Sequence, residues 1–176
     1  MVRFFIIFIV LLAGLFGLEL TPWAQAWVVE PWTRTLASIA TGIVTMFDAD
    51  VVASGKVIRS AANGFAVSIE AGCNGVEATL VLLAAILAYP APSRYKFLGL
   101  GIGVVAVQAL NIVRVISLFY LGQWNFKVFE WAHLYVWQAL IMLDVLIVWL
   151  VWVRRVPVVD GDDLLHPPPP PALAAG

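Results

Sequence analysis

Cys73, Arg114 and His133 are residue types that complement one another chemically. A thiol nucleophile needs a base to take its proton, and an imidazole can do that and later protonate a leaving amine. A guanidinium stays protonated, so Arg114 cannot be the base; it can clamp a carbonyl oxygen or a developing negative charge. Cys73 precedes Asn74 and Gly75 at the expected start of a helix. There the helix dipole lowers a thiol pKa, and free backbone N–H groups can hold an oxyanion. Each residue also has a plainer reading: a small core residue, an interfacial imidazole, and an arginine that snorkels or neutralises a carboxylate. Glu77 is the expected partner of Arg114, one turn from Cys73 on the same helical face. Gln108, Asn111 and Arg114 recur every third residue and form one polar stripe, in which Asn111 is placed to orient Arg114. Asp144 is expected on the face of His133.

The elements that must position these residues are membrane spans. Of the 176 residues, 62% are hydrophobic and 12% charged, with a mean hydropathy of +0.96. A soluble domain holds about 25% charged residues, so this composition excludes an ordinary soluble globule. The net charge of −1 offers no basic field for nucleic acid, and a single cysteine excludes a disulfide framework or multi-cysteine metal site. No metal or cofactor is expected. Crossing the bilayer takes roughly 20 apolar residues. Four stretches are predicted to span: Val2–Leu20, Gly72–Tyr89, Phe97–Leu121 and His133–Val153. Trp32–Phe47 is shorter and more polar, and reads as an interfacial or packed helix on one side. The predicted fold class is therefore an all-α integral membrane protein of about four spans, with a short extracytoplasmic helix and a possible β-hairpin.

Arg3, Arg94, Lys96, Arg154 and Arg155 fall on one face of a four-span topology, which places that face in the cytoplasm. Cys73 then lies at the outer end of the second span and His133 at the outer start of the fourth. Arg114 lies about 25 Å along the third, counted from Phe97. All three approach one face. Tryptophans near the span ends, Trp32 among them, read as an aromatic belt. Met1–Arg3, the apolar run and Ala24-Gln25-Ala26 also permit a cleaved signal peptide, with the later topology unchanged. Val51–Val57 and Phe65–Ile69 are β-leaning, with the turn Ala61-Ala62-Asn63-Gly64 between them. Residues 1–155 read as one polytopic membrane domain. Residues 156–176, acidic and then proline-rich, read as a disordered cytoplasmic tail.

The run Glu70-Ala71-Gly72-Cys73-Asn74-Gly75 resembles the Cys-x-Gly nucleophile motif of the exosortase/archaeosortase family, and Asn111-Ile112-Val113-Arg114 is similar to its Asn-x-x-Arg motif. His133, at the start of the next span, matches its histidine. The resemblance covers residues 40–150, and the short length is that of the compact exosortase H type. It implies a cysteine transpeptidase in a bacterial cytoplasmic (inner) membrane, multi-pass, with the active site facing the periplasm and lipids around it. Cys73, Arg114 and His133 would be catalytic; Asn74, Gly75, Glu77 and Asn111 would support them. Implied partners are exported proteins with a C-terminal sorting tail: a short motif of the Ile-Pro-Thr-Leu kind, one apolar helix and a basic cluster. The acceptor would be a lipid or glycan. Asn74 departs from the Ser that many members carry. Two other function classes compete: a small-solute transporter, favoured by Asp144, and a non-enzymatic assembly factor whose polar residues join helices.

Overall fold

A computed structural model describes residues 2–157. Three of its helices are long and apolar enough to cross a membrane. The first is α1 (Val2–Glu19). It is followed by a short α2 (Pro22–Ala24), a π-helical turn (Gln25–Val29) and α3 (Glu30–Val44). Strands β1 (Val51–Ser54), β2 (Val57–Ser60) and β3 (Ala66–Ser68) form an antiparallel sheet in that order. Helix α4 (Val76–Ala88) comes next, then α5 (Ser93–Trp124). The last long helix starts as α6 (Phe126–Trp131), widens into a π turn (Ala132–Val136) and continues as α7 (Trp137–Val153).

Phe5, Ile6, Ile9 and Val10 of α1, Ile102 and Val105 of α5, and Leu143 and Ile147 of α7 are exposed. In water such a surface would aggregate; in a bilayer it faces lipid, and helices satisfy their own backbone groups there. The chain is a multi-pass membrane protein. Helix α4 packs against α1, α5 and α7. Its 13 residues rise about 20 Å, short of the roughly 30 Å of hydrocarbon. The predicted second span therefore starts later as helix than expected: Gly72–Gly75 is a loop, and glycines at φ +82° and +73° bend it.

Two apolar cores grip opposite halves of α5. One joins Ala78, Leu82 and Ile86 of α4 to Val107 of α5 and to Ile141 and Val145 of α7. The other joins Val115 and Phe119 of α5 to α3 and the sheet through Leu36, Ala37, Ala40, Val44, Val51, Ile58 and Ile69. The buried residues of α3 recur at helical spacing, which makes it the packed amphipathic helix expected. The β-leaning stretch Val51–Val57 forms two strands rather than one, because Gly55 (φ +60°) turns the chain at Gly55-Lys56. The Asn63-Gly64 turn does join β2 to β3, with Gly64 at φ +76°. Phe4 of α1 lies 6.2 Å from the rings of both Tyr89 and Trp149, so α1 is packed into the bundle. The proline-rich tail lies outside the described residues.

Candidate active site

The loop before α4 sits where the two cores meet, and the three residues singled out by type converge on it. Cys73 Sγ is 3.8 Å from His133 Nε2 and 3.6 Å from Arg114 Nη2. Arg114 Nη1 donates to the Gly72 carbonyl at 3.2 Å. Arg114 is 2% exposed, and its Nε has no partner. A cavity of about 150 Å³ opens over these groups, lined also by Val67, Ser68, Ile69, Glu70, Val115, Leu118 and Phe129.

His133 does not begin its helix. The helix starts at Phe126, which sets His133 about 10 Å along it. It lies in the π turn, whose extra residue redirects a side chain relative to a regular helix. Phe129 stacks on the imidazole at 5.7 Å, with planes 1° apart. Nδ1 is buried without a partner, so packing rather than a carboxylate fixes the ring. Phe129 was not legible as a site residue; its spacing of four from His133 was the available signal. Asp144 does not line this cavity; its neighbours Ile141 and Val145 belong to the apolar core.

The supporting residues act differently from expectation. Glu77 does not pair with Arg114. The ion pairs among the described residues are Arg34–Glu30 and Lys56–Glu70. Glu77 instead accepts the Gly72 N–H, because Cys73 lies in the loop rather than one turn up the same helix. The expected oxyanion donors are also largely occupied: Cys73 N–H bonds to the Glu70 carbonyl and Val76 N–H to Asn74 Oδ1. Nor is the thiol pKa lowered overall. Burial pushes the Cys73 thiol up, with the Arg114 charge pulling the other way.

Asn74 is 1% exposed and ties the loop down. Its Nδ2 donates to Thr33 Oγ1 at 3.1 Å, and its carbonyl accepts from Trp32 Nε1 at 3.2 Å. Trp32, expected in an aromatic belt, thus anchors the loop to α3. Asn111 is fully buried, but it lies against Gly75 rather than orienting Arg114, and neither of its side-chain polar atoms has a partner. Gln108 of the same stripe donates to the Gly75 carbonyl at 3.1 Å and to Thr79 Oγ1 at 3.1 Å.

Gly75 has two reasons to be glycine. Its φ of +73° disfavours any side chain, and a Cβ there would lie 2.9 Å from both terminal atoms of Gln108. Gly75→Ala is therefore expected to destabilise the protein by about 2–5 kcal/mol, summing left-handed strain and overpacking. The check is thermal unfolding in detergent, with Gly42→Ala as control, since a Cβ at Gly42 meets nothing within 4 Å.

Neither the curated proteins nor the solved structures contain a match to this chain. The sequence profile described as transmembrane exosortase (EpsH) matches residues 2–151. The match takes in α1 and α3 as well as the segments that carry the short motifs. With it spanning the long helices, α3, the sheet and the loop before α4, the chain belongs to the transmembrane exosortase family of membrane-embedded, sortase-like transpeptidases.

Proposed function

We propose that the protein is a cysteine transpeptidase that cleaves C-terminal sorting tails from exported proteins, with Cys73 as nucleophile, His133 as acid–base and Arg114 as oxyanion clamp. The approach of Cys73 Sγ to both His133 Nε2 and Arg114 Nη2 carries this reading. Burial disfavours the thiolate, so in this reading the nucleophile forms as His133 takes the proton rather than standing as a thiolate. His133 Nε2 takes the thiol proton while Sγ attacks the peptide carbonyl carbon. The carbonyl oxygen takes the negative charge, and Arg114 meets it with donors already held in place. The C–N bond breaks, and His133 returns the proton to the amine of the departing tail helix. A thioester remains on Cys73. An acceptor hydroxyl or amine, on a lipid or glycan, then attacks it, gives its proton to His133 and restores the thiol.

In this reading the chain sits in a bacterial inner membrane, residues 156–176 form a cytoplasmic tail, and the cavity opens to the periplasm. The test is co-expression with an exported reporter ending in an Ile-Pro-Thr-Leu segment, an apolar helix and a basic cluster. Wild type should shorten the reporter. His133→Ala should slow shortening at least about a hundredfold by removing both proton transfers, and should leave the protein in the membrane. An intact reporter with wild type, or full activity in His133→Ala, refutes the proposal.

A further inference from the structure

The catalytic cavity has a sheet edge as one of its walls. Strand β3 pairs with β2 through Val57–Ser68, Ile58–Val67 and Arg59–Ala66. Beyond these, Ser60 N–H donates to the Phe65 carbonyl and Ile69 N–H to the Lys56 carbonyl. Bonded positions alternate along an antiparallel ladder. Phe65, Val67 and Ile69 therefore turn their backbone groups towards β2, and Ala66 and Ser68 turn theirs away from it. Both residues are exposed, and β1 lies on the far side of β2, so no strand among the described residues covers this edge. Val67 and Ser68 line the same cavity as Cys73, Arg114 and His133.

We propose that the peptide to be cleaved adds to the sheet as a fourth strand on the outer edge of β3, with its main chain bonded to Ala66 and Ser68. This rests on the transpeptidase reading and specifies how that site holds its substrate. Outward N–H and C=O groups at alternate residues complement another extended backbone. Such pairing binds a chain whatever its sequence, and side-chain pockets add selectivity. The pocket here is apolar, formed by Val115, Leu118 and Phe129 around the nucleophile. Docking on the edge runs the peptide into that pocket with its backbone extended, which leaves a carbonyl exposed to Sγ. Because the edge offers only two outward residues, it discourages the long unspecific pairing that exposed edges invite.

The experiment uses membranes containing the full chain and a synthetic peptide of the reporter tail, with backbone amides before the cleaved bond replaced by esters one at a time. An ester removes one N–H donor and keeps the side chain. A period of two is expected: alternate positions lose about five- to tenfold in kcat/KM, mainly through KM, and the intervening ones stay near wild type. A flat profile overturns the proposal. On the enzyme, Ser68→Pro removes an N–H that the β2 ladder does not use. It should raise KM by a similar factor. An unchanged KM in accumulated Ser68→Pro overturns the proposal; if that variant does not accumulate, the ester profile decides alone. A flat profile with Ser68→Pro dissociating a dimer would assign the edge to a second copy of the chain, which also overturns it. Failure of wild type to cleave the unmodified peptide would instead sink the transpeptidase reading beneath it.

Discussion

Cys73→Ala is expected to abolish removal of the sorting tail, by at least about a thousandfold, while the protein still accumulates in the membrane. The thiol is half-buried and makes no hydrogen bond that the fold depends on, so a methyl in its place costs little packing. Cys73→Ser should fail almost as completely. A hydroxyl fits the space, but its proton is far harder to remove, and the base beside it, His133 Nε2, is an imidazole at 3.8 Å. The measurement is the intact-to-shortened ratio of the reporter against the amount of enzyme in the membrane. Processing at the wild-type rate by either variant would end the cysteine mechanism and return weight to a transporter or an assembly factor.

Arg114→Lys should lower processing by about a hundredfold, despite keeping the charge. The guanidinium reaches the Gly72 carbonyl and Cys73 Sγ with separate nitrogens and holds Nε in reserve; an ammonium cannot reproduce that fork. Its effect on the thiol is separable from its effect on the oxyanion. The Arg114 charge opposes the burial that raises the Cys73 pKa. Arg114→Met should therefore shift alkylation of Cys73 to higher pH, whereas Arg114→Lys should alkylate near the wild-type pH and still fail to process. Adding Glu77→Met to Arg114→Met should restore nothing, because the carboxylate holds the Gly72 N–H and is not the arginine's ion partner. Recovery in that double variant would reduce Arg114 to a counter-charge.

The parts legible in the sequence are those set by periodicity and composition. The apolar runs gave α1, α5 and α7, and the spacing of Gln108, Asn111 and Arg114 gave a buried stripe that the structure places against the loop. What could not be read was set by contacts between distant segments. The β-leaning stretch looked like one strand until Gly55 divided it. Glu77 looked like a partner for Arg114 because an unbroken helix would stack it under Cys73; two left-handed glycines delay the start of that helix and leave Cys73 in the loop before it. Trp32 looked like a headgroup anchor because nothing in its surroundings announces a carbonyl 42 residues away. The π turn at His133 has no composition of its own.

Helix α5 is gripped on both sides of Arg114, by Val107 in one core and by Val115 and Phe119 in the other. It therefore behaves as a ruler fixed at two marks. Arg114 sits about 15 Å below Trp124 along this rod and cannot slide without breaking a packed layer. One residue inserted between the marks would turn everything beyond it by about 100° and carry the guanidinium off the loop. A substrate meeting such a tool would be measured before it is read. On the transpeptidase reading, the substrate's own span would sit in the lipid at a height set by its apolar length, and the bond offered to Cys73 would be the one at the matching height above it.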